Sequence, residues 1–201
     1  MSLKPNRSTM AILVIGEFIF GLGDSLLIAA GVGNTPWTVL AEGIADTTEV
    51  WTIGEATFLV SVAVMFLWIP IKETPGIGTI LNIIIIALTI HVMVPILPQP
   101  ENPLVSILMA SLGIVLVGIG SCMYLTANLG PGPRDGWMTG LQRTTGIPIG
   151  RVRIAIEASV LVIGIVLGGT FGIGTILFAV TIGPVVASCL SIASRIDSTT
   201  G

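Results

Sequence analysis

Glu17 and Asp24 stand seven residues apart in an otherwise apolar stretch, with Gly21 between them. On a helix that is about two turns, so both carboxylates share one face. Carboxylates inside an apolar span are costly and face the protein interior or a cavity, where they act as proton or cation ligands. The plainer reading is a buried partner for an Asn, Ser or Thr of a neighbouring helix. Arg134 and Asp135 are adjacent at the start of a short segment, Pro133–Thr145. An arginine beside helix N-terminal N–H groups suits a carboxylate, sulfonate or phosphate-like group. Asn128, just before that segment, adds an amide to the same site, and Trp37 stands at the related position of a similar segment. The alternative is an arginine that snorkels to the membrane face beside a neutralising neighbour. Glu157 follows Arg153 by four residues. The pair reads as an i,i+4 ion pair, or, if the pairing fails at depth, Glu157 is a proton carrier. His91, Cys122 and Cys189 are singles on apolar stretches and read as packing residues.

Other chemistry has no footing. One histidine and two distant cysteines offer no zinc-ligand cluster and no disulfide framework. There is no Gly-x-x-x-x-Gly-Lys-Ser/Thr loop for ATP, no HExxH, and no Ser-His-Asp or paired catalytic carboxylate spacing. The expectation is a protein that is not an enzyme and carries no metal or cofactor.

The elements that must position these residues follow from composition. Of 201 residues, 53% are apolar and 9% charged, with a mean hydropathy of +1.01. A soluble chain has about 25% charged residues. Eight basic residues, scattered, exclude a nucleic-acid binder. What remains is an integral membrane protein. Six stretches approach the roughly 20 apolar residues a membrane helix needs: 9–31, 53–71, 76–97, 104–128, 152–169 and 171–193. They do not alternate as barrel strands would, so the fold class expected is all-α. The first carries Glu17 and Asp24 and is too long for a signal-peptide core, so it reads as a retained span. With the N-terminus inside, Lys4, Arg7, Lys72, Arg134, Arg143, Arg151 and Arg195 fall on the cytoplasmic side, and Arg153 snorkels back to it. The outer segments carry no Lys or Arg. That is a positive-inside pattern with both termini cytoplasmic.

The chain also repeats itself. At an offset of 97, Gly16, Gly21 and Gly23 fall on Gly113, Gly118 and Gly120, and Gly33 and Pro36 fall on Gly130 and Pro133. At an offset of 96, Gly76-Ile-Gly-Thr-Ile-Leu81 recurs as Gly172-Ile-Gly-Thr-Ile-Leu177. Across 16–48 and 53–86, 21 of 67 positions are identical. Glycines in register and a repeated hexapeptide indicate duplication. Three spans per copy is an odd number, so the halves 1–100 and 101–201 are expected as inverted repeats about an axis in the membrane plane. The acidic Asp46 and Glu55 fall on the basic Arg143 and Arg151, as separate adaptation to the two membrane faces would produce. The glycines read first as close helix packing.

Between the first two spans of each half lie short segments, 36–48 and 133–145. Each is about 20 Å as a helix, less than a crossing. Pro36 and Pro133 suit a first turn, and Asn34 or Thr35 could cap the first. They are either interfacial helices anchored by Trp37 and Trp137 or re-entrant elements that approach each other from opposite sides.

Four segments carry a family resemblance. They are Gly33-Asn-Thr-Pro-Trp-Thr-Val-Leu-Ala-Glu-Gly-Ile44, Leu129-Gly-Pro-Gly-Pro-Arg-Asp-Gly136 with Thr145-Gly146, Arg153 and Glu157 leading into Leu167-Gly-Gly169, and Gly172-Ile-Gly-Thr175 with Phe178 and Gly183-Pro184. Through them nearly the whole chain resembles the YczE/YitT-like bacterial integral membrane proteins, most of all the YczE branch. The resemblance implies a polytopic inner-membrane protein and brings no activity or substrate with it. Two functions stay open. One is a secondary transporter or channel for a small anionic solute, with Arg134, Asp135, Trp37 and Asn128 as its binding residues and proton coupling through Glu17, Asp24 or Glu157. The other is a non-transporting regulatory or assembly partner in the membrane. The partners expected are the lipid bilayer, a small solute or ion and, through glycine faces, a second copy in a homodimer, with no nucleic acid.

Overall fold

The computed structural model describes residues 6–48 and 50–200, the side chains of 196–200 excepted. Lys4, used above for orientation, lies outside them. Nine helices form among the described residues, with no strand. The first half has α1 (Arg7–Ala30), α2 (Pro36–Thr48), α3 (Ile53–Phe66), the short α4 (Trp68–Ile71) and α5 (Ile77–Met93). The second has α6 (Pro103–Ala127), α7 (Pro133–Thr145), α8 (Ile149–Val166) and α9 (Ile173–Thr200).

The helix ends have local causes. Thr52 caps α3 in a reciprocal box with Glu55, and Asn102 caps α6 by accepting from the Leu104 N–H at 2.9 Å. Thr35 caps α2, its hydroxyl oxygen accepting from the Thr38 N–H at 3.3 Å. The helix α1 stops at Gly31 and α7 at Gly146, both in the left-handed region.

Four segments are long and apolar enough to cross a membrane: Arg7–Ala30, Ile53–Ile71, Pro103–Ala127 and Ile173–Arg195. The 17 residues of α5 make a shorter apolar helix. Arg151, Arg153 and Glu157 interrupt the apolar character of α8. The outward faces carry large exposed apolar residues, Ile69, Ile154, Val166 and Val180 among them. A bilayer solvates such a surface; water would not.

At the centre α1 crosses α6. A Cβ on Gly23 would lie 2.6 Å from the Gly113 carbonyl oxygen, and one on Gly113 would lie 2.6 Å from the Gly23 carbonyl oxygen. The same backbone approach recurs where Gly16 meets Gly120. Around this crossing α5 packs on α1 and α9 on α6, while α2 packs on α8 and α3 on α7. Each short helix therefore leans on the opposite half of the chain.

Many contacts come in pairs separated by the repeat offset. Gly174 N–H donates to the Val32 carbonyl at 2.8 Å, and Gly78 N–H donates to the Leu129 carbonyl at 2.9 Å. Gly33 meets Gly172 and Thr175, as Gly130 meets Gly76 and Thr79. One pairing is broken. The helix α3 packs along α5, with Gly54 against Ala87 and His91, whereas α8 stands off from α9.

Candidate functional site

The gap between α8 and α9 is a cavity of about 110 Å³, walled also by α1, α6 and the starts of α2 and α7. It holds several waters or a solute of a few heavy atoms, since one water takes roughly 10–15 Å³ on this measure. Its polar wall includes Thr35, Trp37, Ser121, Arg134, Asp135 and Glu157.

The start of α7 places Arg134. Its guanidinium lies over the Trp37 ring at 5.2 Å from the centroid, and Trp37 is held edge-on to Trp137 at 6.4 Å. The opposite charges that reach Arg134 most strongly are Asp24 and Asp135. No hydrogen bond from the guanidinium forms among the described residues, leaving its donors to the cavity. Trp37 is 5% exposed, and its indole N–H also has no partner. Trp37 thus brings a buried, unpaired N–H beside Arg134 at the cavity wall. The N-termini of α2 and α7 border it, bringing partial positive charge to the same place.

Asp135 accepts from the Tyr124 hydroxyl, which fixes it at the wall. Arg153 donates to Glu157 at 2.8 Å, the i,i+4 pair expected from their spacing. Asp24 is fully buried behind the wall and accepts from the Thr38 hydroxyl at 3.3 Å through one oxygen, the other being unpaired. Glu17 is fully buried as well, with the Asn82 amide of α5 its nearest polar partner, though short of hydrogen-bond geometry. The shared inner face expected for the two acids is therefore where they lie.

Some expected site residues fall elsewhere. Asn128 is the exposed left-handed C-cap of α6, away from the cavity. Trp37 is buried rather than anchored at an interface. His91 is not a packing residue. It is exposed, with its Nδ1 3.0 Å from the Thr52 hydroxyl, because α5 brings it to the capping box of α3. Cys122 is buried and Cys189 half-buried, as packing residues would be.

Two residues that matter were not singled out in the sequence. Tyr124 looked like one more apolar-span residue, and only the fold brings it to Asp135. Glu42 reaches across to the loop before α9, accepting from the Thr170 N–H at 2.7 Å, the Thr170 hydroxyl at 2.8 Å and the Asn34 amide at 2.8 Å. The signal available was an acid midway along the apolar segment 36–48 with no nearby base.

Comparison with known proteins places the chain among uncharacterised ones. A family model described as a family of unknown function, DUF6198, matches residues 7–191. An uncharacterized protein of Haemophilus influenzae is 45% identical over 188 residues, covering 94% of this chain and 86% of that protein. The uncharacterized membrane protein YczE of Bacillus subtilis is 34% identical, covering 84% of this chain and 79% of its own. YyaS of the same organism, also uncharacterized, is 29% identical over 81% of this chain and 83% of its own. No solved structure matches.

Proposed function

The chain belongs to the family of unknown function DUF6198 and is a YczE-like membrane protein, and from that premise we propose that it is a secondary transporter for a small anionic solute. The observation that carries this reading is the half-buried Arg134 guanidinium, without a hydrogen bond among the described residues, on a cavity at the starts of two short helices whose wall also holds Trp37 with its buried, unpaired N–H. A buried N–H without a partner is costly, and an anion bound to Arg134 offers the Trp37 N–H an acceptor. Asp24 and Asp135 keep the site balanced when it is empty.

The transporter crosses the membrane six times, α5 and α8 included, with both termini cytoplasmic. Its halves are inverted repeats that meet at α1 and α6, and α2 and α7 enter from opposite faces. The offset-paired contacts at Gly33 and Gly130 support that arrangement. In this reading Glu17 and Asp24 couple transport to protons, because ionisable groups buried in a membrane mark ion or proton paths.

The test is thermal melting of the purified protein in detergent with formate, acetate, nitrate and sulfate at several pH values. A ligand that binds only the folded state stabilises it by about 2.7 kcal/mol at a hundredfold excess over its Kd. The expected result is a shift with a monovalent anion that is lost in Arg134→Ala and weakened in Trp37→Phe. A flat response from well-folded wild-type protein overturns the reading.

A further inference from the structure

Beside the main cavity lies a smaller one of about 30 Å³, room for about two waters. Eight residues wall it, of which four are shared with the larger cavity and four are related to its lining by the repeat. Phe20, Tyr124, Arg134 and Asp135 also wall the larger cavity. The other four are Ser61, Asn82, Ile86 and Gly132. Adding 96 to the first three gives Glu157, Phe178 and Ile182, and subtracting 97 from the last gives Thr35. All four of those residues line the larger cavity. The two spaces are therefore related across a shared partition, each drawing its wall from both halves of the chain.

Their sizes differ for a visible reason. The larger lies where α8 stands off from α9, and the smaller where α3 packs along α5. On the α3–α5 side, Thr52 bonds both Glu55 and His91 and holds the seam shut. The related positions on the other side are Pro148, Arg151 and Ala187, which cannot rebuild that set of bonds.

We infer that the small cavity is a second anion subsite, reached from the opposite membrane face, and that Phe20, Tyr124, Arg134 and Asp135 are the gate across which the solute passes. This rests on the transporter reading. The structure then holds one space open and the other closed, and transport exchanges the two. Arg134 faces both spaces, so its guanidinium stays with the anion through the exchange. Asn82 and Ser61 supply neutral hydrogen-bond groups where the larger cavity has Phe178 and Glu157. The smaller subsite thus holds the anion more by dipoles than by apolar contact.

The test uses two near-isosteric reporters, Ser121→Cys in the large cavity and Ser61→Cys in the small one, in a Cys122→Ala/Cys189→Ala background. The probe is an impermeant sulfonate-bearing methanethiosulfonate, whose sulfur the thiolate attacks to form a mixed disulfide with release of methanesulfinate. It is applied separately to each face of the membrane. The expected result is labelling of Ser121→Cys from one face and of Ser61→Cys from the other. If Ser121→Cys is labelled from neither face, the transporter reading itself falls. If Ser121→Cys is labelled while Ser61→Cys reacts from the same face or from none, the second subsite alone is overturned. A second arm uses Asn82→Phe, which installs at the small cavity the residue of its counterpart. Acetate or nitrate flux into liposomes should fall at least tenfold while the anion-induced melting shift persists. Unchanged flux would also overturn the subsite.

Discussion

At the residue scale, Arg134 and Trp37 separate binding from folding. Trp37→Phe keeps an aromatic ring beside the guanidinium and removes the unpaired N–H with the rest of the pyrrole ring. A hydrogen bond to a charged group contributes about 1.5–3 kcal/mol, so anion affinity should fall roughly tenfold to a hundredfold, beside a lower melting temperature of the unliganded protein because Trp37 is a core residue. Titrating the melting shift against anion concentration in both proteins measures this. Asp24→Asn keeps a side chain that can still accept from Thr38. It should fold normally and respond to an anion gradient, while losing any response to an imposed pH gradient in liposomes. The intramembrane acids and the arginine were legible in the sequence because charge in an apolar run is conspicuous. Tyr124 and Glu42 were not, since each finds its partner only through the fold: Tyr124 on the next helix, Glu42 in a loop 128 residues away.

At the element scale, the turns before α2 and α7 fix the site. Gly33 has φ 111°, and a Cβ there would lie 2.5 Å from the Gly172 nitrogen. Gly33→Ala should therefore cost at least the roughly 1–3 kcal/mol of a strained backbone and lower the melting temperature. Gly146→Ala, with open space around its Cβ, should cost less. The starts of both short helices were readable from Pro36 and Pro133. Their choice between interface and interior was not, because Trp37 suits either place; in the fold its ring is buried beside Arg134. Glu42 ties α2 to the loop before α9 by three hydrogen bonds. Glu42→Gln weakens the two from Thr170, and faster proteolysis at 167–172 in the variant than in the wild type is the expected outcome.

At the scale of the whole molecule, the sequence carried more than usual. Its repeated glycines were read as points of close helix packing, and at Gly23 and Gly113 two backbones do meet. It did not foretell the break between α8 and α9. The two helices are joined by only six residues, 167–172, yet they stand apart. The opening lets α8 pack on α2 and leaves the cavity beside it. The most direct measurement is saturable uptake of a small monovalent anion, acetate or nitrate, into liposomes containing the wild-type protein, with Arg134→Gln run alongside. Transport through this cavity predicts flux that saturates with concentration in the wild type and drops to the protein-free background in Arg134→Gln. Flux at background in folded wild-type protein, or equal flux from both proteins, would contradict it.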